Sequence, residues 1–139
     1  MIAQNEQTAP TIMLVDDDDV DLRLAKRSLG RLLPGAHVLV RKDGIDALEG
    51  LRTDIRTSRC IIVLDLNMPR MNGLEMLREL RKDPALRSHV VFVYSTSTHS
   101  DDIQICYELN VAGYLVKTDS ADQLGELLAT YIERVRLGL

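Results

Sequence analysis

Asp65 is the first polar residue after the apolar run Ile61-Ile62-Val63-Leu64, and a turn marked by Asn67, Pro69, Asn72 and Gly73 follows it. A short, unbroken β-branched run bounded by turn signals predicts a strand buried on both faces. The carboxylate therefore stands where that strand surfaces, which in an open α/β sheet is where ligands bind. Asp16 and Asp17 follow a second apolar run, Ile12-Met13-Leu14-Val15. Ser95 follows a third, and Lys117 ends a fourth. Three carboxylates in one cleft repel one another; either a cation joins them or some of them are protonated. Hard oxygen ligands select Mg²⁺, Mn²⁺ or Ca²⁺. Mg²⁺ uses one or two carboxylates and takes phosphate oxygens as further ligands. A cation, a lysine and a hydroxyl around one carboxylate suit a transferring phosphoryl group. The carboxylate is then the nucleophile and forms an aspartyl phosphate.

These residues meet only if the elements between them bring the strand ends together. Thr11–Val15 predicts a first strand, and Leu22, Ala25, Leu29, Leu32 and Leu33 a helix that Pro34-Gly35 stops. His37–Arg41 predicts a second strand. Ile45, Leu48, Leu51 and Ile55 predict a second helix after the Asp43-Gly44 turn, and Thr57 to Arg59 a polar link. Leu74, Leu77 and Leu80 predict a third helix, ending near Asp83-Pro84. Val90–Val93 is a fourth strand. Asp101–Asn110 is a helix with a weak apolar face (Ile103, Cys106 and Tyr107), so partly exposed. Gly113–Val116 is the fifth strand. Ala121, Leu124, Leu127, Leu128, Tyr131, Ile132 and Val135 mark a last helix. Five strands alternating with five helices imply a parallel sheet covered on both faces. The expected fold is α/β, flavodoxin-like and doubly wound, (βα)5, with a five-stranded parallel sheet in the order 2-1-3-4-5. Its switch point, between strands one and three, puts Asp16, Asp17 and Asp65 in one crevice.

Composition narrows the partners. The chain has 139 residues, enough for one domain, with 17 basic against 21 acidic residues and a net charge of −4. Nucleic acid is not favoured, since phosphate binding needs clustered Lys and Arg. No apolar run approaches the ~20 residues of a membrane span, and Met1–Pro10 is polar, without a signal-peptide core. Cys60 and Cys106 have no metal or redox spacing and read as buried thiols. His37, His89 and His99 stand apart, without ligand spacing. The expected location is cytoplasmic. The expected layout is a flexible lead-in over residues 1–10 and one domain over 11–139.

After residue 10 the chain resembles the receiver domain of two-component response regulators. The motifs are Val15-Asp16-Asp17, Leu64-Asp65-Leu66-Asn67-Met68-Pro69 through Met71-Asn72-Gly73, Tyr94-Ser95-Thr96-Ser97, and Gly113-Tyr114-Leu115-Val116-Lys117. The resemblance implies that Asp65 is the phosphoacceptor and that Asp16 and Asp17 are the acidic pair, Asp17 being the more direct Mg²⁺ ligand. Asn67 would add its backbone carbonyl to the metal. Ser95 would be the hydroxyl switch, Lys117 the partner of a phosphoryl oxygen, and Tyr114 the aromatic switch. It implies a protein that is not a turnover enzyme but assists its own phosphorylation and dephosphorylation, with a sensor histidine kinase as donor. The Leu66–Arg70 and Tyr94–Ser97 stretches resemble stand-alone receivers, including the subgroup that partners bacterial phytochromes. With no output domain expected after Val135, an interaction switch is the implied role. A homodimer through the fourth helix, fifth strand and last helix follows from the apolar surplus of the last helix.

The chain departs from the family pattern twice. Thr118 stands where the family usually has a proline, often cis. A cis bond before a non-proline residue costs ~2.5–4 kcal/mol, so a trans bond is expected. Asp18 and Asp19 extend the acidic pair, either as helix caps or as extra charge near the cation. Two other chemistries fit less well. A phosphatase of the haloacid-dehalogenase type needs an acid two positions after its nucleophile, where Asn67 stands. A calcium loop over Asp16–Asp21 lacks its glycine and terminal Glu.

Overall fold

The computed structural model describes residues 10–54, 57, 60–118 and 120–136. Ile55, Ser58 and Arg59, the lead-in before Pro10 and the tail after Arg136 lie outside the described residues. Among the described residues strands and helices alternate: β1 (Thr11–Val15), α1 (Asp19–Leu32), β2 (His37–Arg41), α2 (Gly44–Thr53), β3 (Cys60–Leu64), α3 (Gly73–Lys82), β4 (Val90–Ser95), α4 (Ser100–Glu108), β5 (Gly113–Val116) and α5 (Asp122–Arg136). The sheet is wholly parallel, in the order β2-β1-β3-β4-β5. This is the expected flavodoxin-like fold.

Side chains alternate across a strand, and the two faces carry separate cores. Ile12, Leu14, Ile61, Val63 and Phe92 face α1 and α5. Met13, Val15, Ile62, Leu64, Val91 and Val93 face α2, α3 and α4. The central strand β3 is buried throughout, as its unbroken apolar run requires. No helix of the described residues is long and apolar enough to cross a membrane.

Of three helix faces, that of α4 is as weakly buried as expected and those of α2 and α5 differ. Ile45 is 46% exposed, and α2 packs through Ala47, Leu48 and Leu51 instead. Tyr107 is exposed on α4, whose one fully buried residue is Cys106. On α5, Leu124 and Leu128 are buried, Tyr131 packs edge-on against Phe92, and Val135 is exposed. Much of the apolar surplus of α5 is therefore used inside the chain. Cys60 and Cys106 are buried free thiols, as expected.

The turn after β3 is held tightly. Asn72 opens α3 with a capping box: its side chain accepts from Glu75 N–H, and Glu75 accepts from Asn72 N–H. Arg70 adopts a left-handed φ of 62° and donates through Nε to Asp43 at 2.7 Å. Gly73 lies flat against the turn. A Cβ there would come within 2.8 Å of Leu66 Cα and closer still to the Asp65 carbonyl oxygen. Both obstacles are backbone, so Gly73→Ala is expected to cost about 2–3 kcal/mol. Thermal melts against wild type read this, and a loss under about 0.5 kcal/mol would mean that the turn yields.

Candidate functional site

Strand register delivers the site. Val15 pairs with Leu64, so the residues that follow, Asp16 and Asp65, emerge side by side. The ladder runs one step further on each strand. Asp65 N–H donates to Val15 O at 2.9 Å, Asp16 N–H to Arg41 O at 3.0 Å and Lys117 N–H to Ser95 O at 2.8 Å. These bonds fix the backbone of three functional residues.

One carboxylate oxygen from each of Asp16, Asp17 and Asp65 lies within 4.8 Å of the others. Asp16 and Asp65 are buried, and Asp17 is exposed. A pure oxygen donor set of this spacing fits a hard divalent cation. Lys117 reaches in from the end of β5. Its Nζ donates to Asp16 Oδ2 at 2.7 Å and to Asp21 Oδ2 at 2.8 Å, and lies 3.7 Å from Asp65 Oδ2. The Tyr94 ring lies under the ammonium, 5.6 Å from Nζ to the centroid.

Burial pushes the Asp65 carboxyl up, to about 6; Lys117 opposes this, Asp16 adds to it, an N–H from Asn67 opposes it, and Asp17 adds to it. A raised value means that the ionised group is held at a cost, which a bound cation relieves. For Lys117, burial pulls the ammonium down, but the hydrogen bonds it donates to Asp16 and Asp21 and the charges of Asp65 and Asp16 lift it above its ordinary range.

The Asp65 shift fixes a stability slope. Its folded value exceeds the unfolded 3.8, so the folded state binds more protons between about pH 4 and 6. The stability contributed by this group falls as pH rises through that window and then stays level. Asp65→Asn removes the charge and the slope. Metal-free Asp65→Asn is therefore expected to be more stable than wild type at pH 7 by about 2–3 kcal/mol, with the gap closing towards pH 4. Denaturant titration at the two pH values reads this; a gap of the same size at both would refute it.

Ser95 is the last residue of β4 rather than the first after it, and it is fully buried. Its Oγ accepts Ser97 N–H at 3.2 Å. Tyr114 is half-buried, and its hydroxyl donates to Ser97 O at 2.8 Å. Ser97 Oγ in turn donates to Asp102 at 2.9 Å in the first turn of α4. Ser95, Tyr114 and α4 thus meet on one loop. The Lys117–Thr118 bond is trans, as are the other peptide bonds of the described residues.

The two extra acids divide. Asp18 is the N-cap of α1 and accepts from Val20 and Asp21 N–H. Asp19 pairs with Lys42. Neither joins the carboxylate cluster, and Asp18 takes the capping alternative. The sequence assigns no role at the site to Asp21 or Tyr94. Asp21 had one available signal: it is the third residue of a capped helix that begins at a strand end, and so lies on its first turn beside the cleft.

Comparison with known proteins agrees with this geometry. The family model for the response regulator receiver domain matches residues 12–129. Response regulator Rcp1 of Synechocystis sp. is 31% identical over 121 residues, covering 84% of this chain and 82% of that one. Its Mn²⁺-bound structure superposes with a TM-score of 0.68 at 29% identity, over 90% of this chain and 92% of that one. The phosphorylated cyanobacterial phytochrome response regulator RcpA superposes with a TM-score of 0.76 at 33% identity, over 91% and 93%. The bacteriophytochrome response regulator RtBRR does so with a TM-score of 0.72 at 34% identity, over 89% and 77%. The chain belongs to the response regulator receiver domains, phosphoacceptors of two-component signalling.

Proposed function

We propose that Asp65 accepts a phosphoryl group from the phosphohistidine of a sensor kinase and that the chain acts as a phosphorylation-dependent interaction switch. The observation that carries this is the meeting of Asp16, Asp17 and Asp65 within 4.8 Å, with Lys117 against two of them. In this reading a carboxylate oxygen of Asp65 attacks phosphorus. The P–N bond breaks, and the pair leaves on the imidazole nitrogen, which takes a proton from solvent. Lys117 pairs with one phosphoryl oxygen, and the Ser95 hydroxyl turns to donate to another. Asp16, Asp17, Asp65 and the Asn67 carbonyl would hold Mg²⁺, with Mn²⁺ or Ca²⁺ as substitutes. The ion supplies charge neutralisation for the phosphoryl oxygens.

The switch follows from the loop after β4. Rotation of Ser95 towards the phosphoryl group loosens its bond to Ser97 N–H. Ser97 also anchors Tyr114 and, through Asp102, α4. With only Cys106 fully buried, α4 is lightly held. Phosphorylation would then re-aim Tyr114 and change the surface of α4, β5 and α5, the face proposed for a homodimer. A concentration-independent monomer in both phosphorylation states would rule the dimer out.

The relatives RcpA and RtBRR are described as phytochrome response regulators. A bacteriophytochrome-type histidine kinase is accordingly the proposed donor, and the cytoplasm the proposed location.

Intact-mass spectrometry with acetyl phosphate and Mg²⁺ tests the reading; here the P–O bond to the acetyl group breaks and acetate leaves with the pair. The expected result is a gain of ~80 Da that is lost with EDTA and in Asp65→Asn. A gain that persists in Asp65→Asn would move the acceptor elsewhere.

A further inference from the structure

Lys117 is nearly sealed from solvent, its side chain 7% exposed, and an ammonium has three N–H donors to place. Asp16 takes one and Asp21 a second, while Asp65 at 3.7 Å stands beyond a good hydrogen bond. Asp21 owes this position to an altered helix start. In a capping box, the acid at the third helical position turns back onto the N-cap N–H, as Glu75 does in α3. In α1 the corresponding N–H, that of Asp18, is already taken by Asp16 Oδ1 at 2.9 Å. The Asp21 carboxylate is thereby released towards the strand ends, while Asp18 holds its N–H at 3.0 Å.

We propose that Asp21 is a positioning residue that holds Lys117 on the α1 side of the cleft, away from Asp65. The inference rests on the phosphoacceptor reading of Asp65. Without Asp21, a buried ammonium has a donor to satisfy, and Asp65 is the nearest further carboxylate. Closing onto Asp65 would pair the nucleophile with Lys117 and set a positive charge against the cation pocket. Asp21 thus keeps the pocket open to a divalent ion and keeps the ammonium available to an arriving phosphoryl oxygen.

Mn²⁺ binding, read by the loss of the free-ion electron paramagnetic resonance signal, tests this. Asp21→Asn is expected to weaken Mn²⁺ binding about five-fold, and the same change in a Lys117→Met background less than about two-fold. Asp21→Glu, which keeps the charge, is expected to restore binding. Phosphoryl uptake from acetyl phosphate should fall in Asp21→Asn at low Mg²⁺ and recover at saturating Mg²⁺. Equal weakening in both backgrounds would reduce Asp21 to one more negative charge and overturn the proposal, as would unchanged binding. A second readout does not depend on how Asp21→Asn folds. In ¹⁵Nζ–¹H spectra of lysine-labelled protein, the Lys117 ammonium should show slowed hydrogen exchange in wild type and equally in Asp65→Asn. Loss of that protection would put the ammonium on Asp65 and overturn the proposal. If wild type gains no phosphoryl group, the phosphoacceptor reading fails, while the Mn²⁺ and exchange results still decide where Asp21 holds the lysine.

Discussion

Lys117→Met is expected to slow phosphoryl transfer to Asp65 by about 10²–10³-fold at saturating acetyl phosphate and Mg²⁺. The loss follows from where the ammonium stands. It is buried, it is held by two carboxylates, and it lies 3.7 Å from the carboxylate that would carry the phosphoryl group. Such a charge stabilises developing negative charge on phosphorus without first shedding water, which is why one donor can matter this much. Met fills similar volume without the charge. The same substitution removes the group that opposes the upward shift of Asp65, so the metal-free variant should hold that carboxyl in its protonated form to still higher pH. Added Mg²⁺ should then stabilise the variant more than it stabilises wild type, because no ammonium competes for the carboxylates. Rapid-quench transfer rates and thermal melts with and without Mg²⁺ read the two effects. A rate within about three-fold of wild type would remove Lys117 from the transfer step.

The layout of this chain is readable because its strands are short apolar runs that end abruptly in polar residues. Where such a run stops, the sheet stops, so Asp16, Asp65, Ser95 and Lys117 announce both the strand ends and the site. The helix faces were less legible. In α2, one residue of helical rotation separates Ile45 from the buried side, and the small Ala47 takes the place that size alone would have given to isoleucine. In α5, Leu127, Tyr131 and Ile132 pack against the core shared by the sheet and α1. A one-dimensional pattern cannot show that a helix is covered on two sides. It therefore overstates how much apolar surface α5 leaves for a partner.

Asp21 was missed for a different reason. In the run Asp16–Asp21, five of the six residues are acids of one type, and nothing in composition assigns them different work. Hydrogen bonds assign it. Asp16 spans two roles, Asp18 caps, Asp19 meets Lys42, and Asp21 meets Lys117. The assignments of Asp16 and Asp21 are linked, because the N-cap N–H of Asp18 can be taken only once. Local chemistry of this kind is visible only after the helix start has been built.

The division of labour between Asp16 and Asp17 gives the second large effect. Asp17 is exposed, and its side chain accepts no hydrogen bond among the described residues, so it has little to do in the metal-free fold. Asp16 is buried and already engaged twice, by Asp18 N–H and by Lys117. Asp17→Asn is therefore expected to weaken divalent-ion binding about 100-fold, since a hard cation depends on the charge of its oxygen ligands. Metal-free stability should stay within about 0.5 kcal/mol of wild type. Asp16→Asn should also weaken the ion, but it additionally breaks a charged hydrogen bond to a buried ammonium and should cost about 2 kcal/mol in the metal-free protein. Calorimetric titration with Mg²⁺, beside denaturant melts in EDTA, separates the two variants. If both lose equal affinity and equal stability, Asp16 and Asp17 are one electrostatic patch. If only Asp16→Asn loses stability while both lose affinity, Asp17 faces the ion and Asp16 ties the ion site to the lysine that completes it.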